Sequence, residues 1–334
     1  MLKELREILL NNSSFPDENK FSNKEMKGAL LKFKKKFKPD YSMDVDIKTV
    51  HGFLRRHKFF EKYRWYLGAF QKMGSRLILI EGADAVGKTS LTVPLSKKLN
   101  AMPIDNQAPN LFYRMFKLPR LYKVAVADYN DNIAIGLLFY MCMNLFALEK
   151  AYEAFKSGYK YAVIDSSLLR TMSSRIAIPT AGRDSELQID KGIYDLVKNK
   201  LNRYYLNAIR SNKQSLFFVF MYASDGVRRH QAEGDGREFL HYESNKKYAK
   251  FVEQYLRENQ IALRRMGVPL VSMLLVTQKE KDAANLIKSK ISVDEVFIRT
   301  DNMGADIEKK VGMVLEAMTA DFMELHGDPK CCWL

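Results

Sequence analysis

The stretch Gly82-Ala83-Asp84-Ala85-Val86-Gly87-Lys88-Thr89 constrains this chain more than any other. It fits the pattern GxxxxGK(S/T) and lies between a β-branched apolar run, RLILIEG (Arg76 to Gly82), and a helical stretch, TSLTVPLSKKLN. Strand, glycine loop and helix in that order form the context in which the pattern carries a mechanism. The glycines let the backbone wrap closely around phosphate oxygens, successive N–H groups point at the anion, and the helix dipole adds positive potential. Gly82, Ala85, Val86, Gly87, Lys88, Thr89 and Ser90 are therefore the expected phosphate-binding residues. Lys88 is expected to reach the β- and γ-phosphates, and the Thr89 hydroxyl to hold Mg²⁺. The cofactors implied are ATP and Mg²⁺.

Around this loop, short β-branched runs alternate with long helical stretches, the signature of a parallel sheet covered by helices. YKYAVID (Tyr159 to Asp165), SLFFVFMYAS (Ser215 to Ser224), VPLVSMLLVT (Val268 to Thr277) and EVFIRTD (Glu295 to Asp301) read as further strands. A terminal amphipathic helix is expected over 307–325. The expected fold class is α/β: a three-layer P-loop nucleoside-triphosphatase fold with a parallel sheet flanked by helices, preceded by a basic, mostly helical extension. A magnesium ion usually needs a carboxylate from another strand end, and Asp165 closes a buried run. Its alternative role is to cap a helix starting at Ser166 or Ser167.

Composition narrows the class without choosing the ligand. At 334 residues, with 47% apolar and 28% charged side chains, the chain is long enough for a sizeable core and has ordinary globular usage. The formal charge is +15, which points to polyanions or phosphorylated small molecules as partners. Residues 1–74 hold 17 Lys or Arg against 9 Asp or Glu and read as a separate basic extension. The domain that carries the glycine loop is expected over 75–326 and a tail over 327–334. In the extension, Leu30 to Asp40 and His51 to Phe70 interleave basic and aromatic residues, which suits DNA contact. The competing reading is an amphipathic helix pair docking Leu, Phe and Trp65 on the main domain, with its charges facing water.

The three cysteines, Cys142, Cys331 and Cys332, have no metal-site spacing and imply no disulfide framework, so a reducing, cytoplasmic setting is expected. MLKELREILL lacks the apolar core of a secretory signal. The longest apolar run, Ile133 to Leu148, is shorter than the roughly 18 residues of a membrane span and reads as a buried helix. The final CCWL matches a C-a-a-X lipidation pattern without a polybasic neighbour.

IEGADAVGKTSLTVPLSKKL resembles the phosphate loop of thymidylate kinases and related nucleoside monophosphate kinases, in which Glu-Gly opens the loop and an acidic residue, here Asp84, lies inside it. The resemblance continues through LLFYMCMNLFALEKAYEAFKSGYKYAVID, an apolar helix followed by a glycine and a strand ending in Asp. VRRHQAEGDGREFLHYE (227–243) is similar to the family's arginine-bearing lid. The resemblance implies that Arg228, Arg229 and Arg237 bind donor phosphates or stabilise the transferring group, and that Asp84 orients the acceptor sugar. Two family residues are replaced. The Arg that follows the strand-end Asp is Ser166 here, leaving Arg170, Arg175 or Arg114 as the acceptor clamp, and the base-reading Arg is Met143. Phe139 either stacks on a base or fills the core.

Three activities fit these residues. The first is transfer of the γ-phosphoryl group of ATP to a (deoxy)nucleoside monophosphate, possible without a general base. The second is phosphorylation of a hydroxyl on a modified base in DNA, resembling phage hydroxymethyluracil-DNA kinases. A hydroxyl needs a base, for which Asp84 or Asp105 is available; Asp105 also reads as a turn residue. The third is an ATP-dependent nucleic-acid-binding protein, although no helicase-like second motif is visible. The polyphosphate-using kinases have a similar acidic loop but a different lid. A homodimer is compatible with each reading.

Overall fold

The structure is a computed structural model that describes residues 47–104, 133–179, 187–189, 191–234, 246–276, 296–299 and 303–326. Asp105, Arg114, Arg237, the Leu30 to Asp40 stretch and the CCWL terminus lie outside the described residues, as does the side chain of Phe139.

Six strands form one sheet in the order β2-β3-β1-β6-β7-β8, and every pairing in it is parallel. They are β1 (Arg76–Gly82), β2 (Met102–Ile104), β3 (Tyr161–Asp165), β6 (Leu216–Ala223), β7 (Leu270–Val276) and β8 (Val296–Arg299). β1 sits inside, hydrogen-bonded to β3 on one side and β6 on the other. A strand covered on both faces cannot alternate apolar with polar residues, which is why RLILI and LFFVFMYA read as continuous apolar runs. Their side chains still alternate between faces. Leu77, Leu79, Phe218 and Phe220 enter one core, while Ile78, Ile80, Phe217 and Val219 enter the other.

The second core lies under α3 (Lys88–Lys98) and α10 (Met303–His326), through Leu91, Leu95, Val311 and Val314. The first and larger core is built by α1 (Ile47–Arg56), α2 (Phe59–Lys72), α4 (Ile133–Lys156), α5 (Leu168–Ile176), α7 (Asn202–Arg210) and α9 (Lys246–Arg265). Helices on both faces of a parallel sheet, with a glycine loop joining its central strand to the next helix, make this the three-layer P-loop fold. A short α6 (Lys191–Leu196) leads through a π turn into α7, and α8 (Asp225–Gly234) follows β6.

The helix pair α1 and α2 belongs to this core. Phe59, Tyr63, Leu67 and Phe70 recur at helical spacing and are all buried, and the Phe70 ring meets Phe155 of α4 edge-on at 4.8 Å. Trp65 departs from the amphipathic expectation. It is 56% exposed on the outer side of α2, leaning on Tyr66 and on Tyr152 of α4 rather than entering the core. The pattern Phe59-Tyr63-Leu67-Phe70 already fills the inward stripe of α2, and position 65 falls on its far side. A two-stranded antiparallel ribbon of β4 (Ala177–Pro179) and β5 (Leu187–Ile189) lies outside the expected parallel pattern. The Ile133 to Leu148 run lies in α4, and no helix among the described residues is long and apolar enough to cross a membrane.

Candidate active site

The loop leaves β1 at Gly82, where the backbone runs against the neighbouring strand. A Cβ there would lie 2.5 Å from the carbonyl oxygen of Met221 and 2.7 Å from Val86, so the position admits no side chain. Ala85 and Gly87 both take left-handed backbone angles, φ 59° and φ 80°. Left-handed residues alternating with right-handed ones turn successive N–H groups to one side, the arrangement that forms an anion nest. Ala85 does this without the freedom of glycine, at a strain of about 1–2 kcal/mol. Such strain persists only where the surroundings enforce it.

Lys88 opens α3 directly behind the nest. Its ammonium is largely buried and donates to the carbonyl of Ala83 across the loop at 2.7 Å. Burial pulls its pKa below the ordinary lysine value, against the opposing pull of Asp165 and Asp84. Next to it, the exposed Thr89 donates through Oγ1 to Oδ2 of Asp165 at 2.5 Å. The register explains this meeting, because Asp165 ends β3 opposite Ile80 of β1, close to where the loop begins. Ser166 turns sharply after it, with φ 72° and its N–H on the Ile80 carbonyl, and its hydroxyl faces Oδ1 of Asp165 at 3.2 Å. The alternative role of Asp165 as a helix cap is taken by Ser167, whose Oγ accepts the N–H of Leu169 at the start of α5.

The pair Thr89 and Asp165 suits a hard divalent cation. Both offer oxygen, both stand at the loop, and among the described residues no cluster of three or more His, Cys, Asp or Glu offers an all-protein cage. Magnesium typically takes one or two protein oxygens and completes its shell with phosphate and water, which these residues match.

Asp84 stands within the loop itself. Arg170 of α5 forms an ion pair with its carboxylate, and Arg228 of α8 donates through Nε to its backbone carbonyl at 3.0 Å. Arg228 is 3% exposed and also pairs with Asp225 at 3.2 Å. Burial is the largest single influence on Asp84 and pushes its pKa up, but Arg170, Lys88 and Arg228 together outweigh it and hold the carboxyl below the usual range. Of the expected acceptor clamps, then, Arg170 is at the loop. Arg229 of α8 is exposed, and the Met143 side chain is buried within α4.

Sequence reasoning passed over Glu81 as a site residue. It is wholly buried beneath the loop, where Oε1 accepts hydrogen bonds from both the N–H and the hydroxyl of Ser167, whose oxygen also meets Tyr205 at 3.1 Å. The other oxygen, Oε2, has no hydrogen-bond partner among the described residues. The visible signal was a charge interrupting an apolar strand one residue before the loop. Burial raises its pKa to about 7, opposed by Ser167 and Lys88. In the unfolded chain Glu81 titrates near ~4.3, so the fold holds its proton more tightly. This contribution to stability is full below the unfolded value, is lost as pH rises towards about 7, and is absent above it. Glu81→Gln is expected to flatten that slope and to be the more stable protein at pH 8. Thermal midpoints of both proteins between pH 5 and pH 8 check this, and an unchanged slope in the variant contradicts it.

No family model matches this chain, and no curated protein matches it. Among solved structures, a deoxyadenosine kinase from M. mycoides with bound dCTP is similar at 13% identity, covering 73% of this chain and 99% of that one with a TM-score of 0.37. A second structure of that enzyme, with bound dATP, is 15% identical, covering 64% and 98% with a TM-score of 0.31. Likeness at this level carries no functional argument, and the loop's own geometry must supply it.

Proposed function

We propose that this protein is an ATP-dependent phosphotransferase that moves the γ-phosphoryl group to a (deoxy)nucleoside monophosphate. One observation carries the reading: a strained glycine nest backed by a buried lysine, with the Thr89 and Asp165 oxygens paired at the loop and an ionised Asp84 bracketed by arginines within it. In this reading the backbone of 82–89 holds the β- and γ-phosphates, Lys88 neutralises charge spreading over the γ-oxygens, and Ser90 extends the cradle into α3. Thr89 and Asp165 hold Mg²⁺, which when bound offsets phosphate charge. Asp84 orients the acceptor sugar, held in place by Arg170. Arg228, Arg229 and Arg237 serve the phosphates from the lid side.

The depressed pKa of Asp84 bears on the acceptor. A carboxylate held ionised by three cations is a weak proton acceptor, poorly matched to deprotonating a hydroxyl. A phosphate acceptor is already anionic and asks for no base. Against this, Ser166 offers no cation and Arg170 is engaged by Asp84, which favours a hydroxyl acceptor as the second reading. Incubation with γ-labelled ATP and Mg²⁺ separates the two. Label on free deoxynucleoside monophosphates supports the first; label on nucleosides or on hydroxymethylated DNA supports the second. ATP hydrolysis without label on any acceptor favours the nucleic-acid-binding alternative.

A further inference from the structure

A cavity of about 260 Å³ opens beside the loop, bounded by Ala83 and Val86, the end of β6, and the facing helices α8 and α9. Its charge is unbalanced. Two acids line it, but Asp225 already pairs with Arg228, and Glu253 with Arg257 of the same helix at 2.8 Å. Two lysines also line it, Lys246 and Lys250, one helical turn apart at the start of α9. Both are exposed, and neither forms an ion pair among the described residues. Arg228 joins the cavity to the reacting end of the loop, since it lines the one and touches Asp84 in the other.

We propose that this cavity is the acceptor-phosphate pocket, with Lys246 and Lys250 gripping the phosphate that Ser166 cannot. The proposal rests on the kinase reading and narrows its substrate to a phosphomonoester. Two ammonium groups one turn apart on a rigid helix match a dianion, and they line the same cavity as Arg228, which touches Asp84. The transfer then balances simply. An oxygen of the acceptor phosphate forms a bond to the γ-phosphorus while the bond from that phosphorus to the β–γ bridging oxygen breaks. ADP leaves with the electron pair, and no proton need be removed from the attacking group. Lys246 and Lys250 position the attacking dianion and relieve its repulsion by the donor.

The test uses the full chain, the double variant Lys246→Ala/Lys250→Ala and the double variant Lys246→Arg/Lys250→Arg. The four common deoxynucleoside monophosphates, the matching nucleosides and MgATP serve as probes. The alanine variant is expected to raise KM for the monophosphate acceptor at least ~10-fold while the calorimetric Kd for MgATP stays within about twofold, and the arginine variant to recover most of the loss. An unchanged acceptor KM in the alanine variant, or transfer by the unaltered protein to nucleosides alone, overturns the pocket while leaving the kinase reading intact. Absence of any transfer overturns the kinase reading, and calorimetry then decides the pocket. Preference for monophosphate over nucleoside that disappears in the alanine variant upholds it, and equal binding by both proteins rejects it.

Discussion

Lys88→Ala is expected to lower phosphoryl transfer by at least ~10³-fold, whatever the acceptor. Its ammonium is a cation that the fold holds against the loop, with Ala83 accepting its hydrogen bond and Asp165 and Asp84 adding attraction. A buried, hydrogen-bonded cation acts on a phosphate in a medium that screens far less than water, so its removal is not compensated by solvent. The fold should survive, because α3 is anchored by Leu91 and Leu95 in the core behind it. Turnover of labelled ATP beside a thermal melt checks both halves. Normal turnover in this variant rejects the site assignment.

Asp84→Asn is expected to have the next largest effect, a drop in kcat/KM of ~10²-fold or more. The substitution keeps the shape and removes the charge, leaving Arg170, only 10% exposed, beside a neutral amide. Losing the charged partner of a largely buried cation typically costs roughly 1–3 kcal/mol. Because the folded pKa of Asp84 is depressed, its stabilisation is present above the unfolded carboxylate value and disappears as pH falls through the lower folded one. Wild type should therefore begin to lose this increment as pH falls below the ordinary carboxylate value, whereas the variant lacks it at every pH. Denaturant midpoints at pH 7 and pH 3 measure the difference. Equal stability of the two proteins at pH 7 contradicts the pairing, and unaltered kcat/KM contradicts the role.

Local signals predicted the site's local parts. RLILIEG is β1 to the residue, and the loop, Thr89 and Asp165 meet as the strand-loop-helix pattern requires, because a parallel register brings adjacent strand ends together. What lay beyond reach depends on distance in sequence. Arg170 and Asp84 are 86 residues apart, and only the packing of α5 over the loop joins them. Glu81 meets Ser167, which follows β3 and is again 86 residues away. The cavity lysines belong to an amphipathic helix whose charges read equally well as a solvated face. The basic stretch 51–70 shows the converse. Its charges suggested a polyanion surface, yet its apolar stripe decides its place, and Phe59, Tyr63, Leu67 and Phe70 tie it into the same core as the sheet. β4 and β5, at three residues each, are too short for periodicity to register.

Isothermal titration of MgATP into the purified full chain tests the central claim most directly, since every role assigned above depends on a triphosphate seated in the loop. The geometry predicts saturable binding at one site per chain, abolished in Lys88→Ala. No heat from the wild-type protein, or the same isotherm from both proteins, contradicts it.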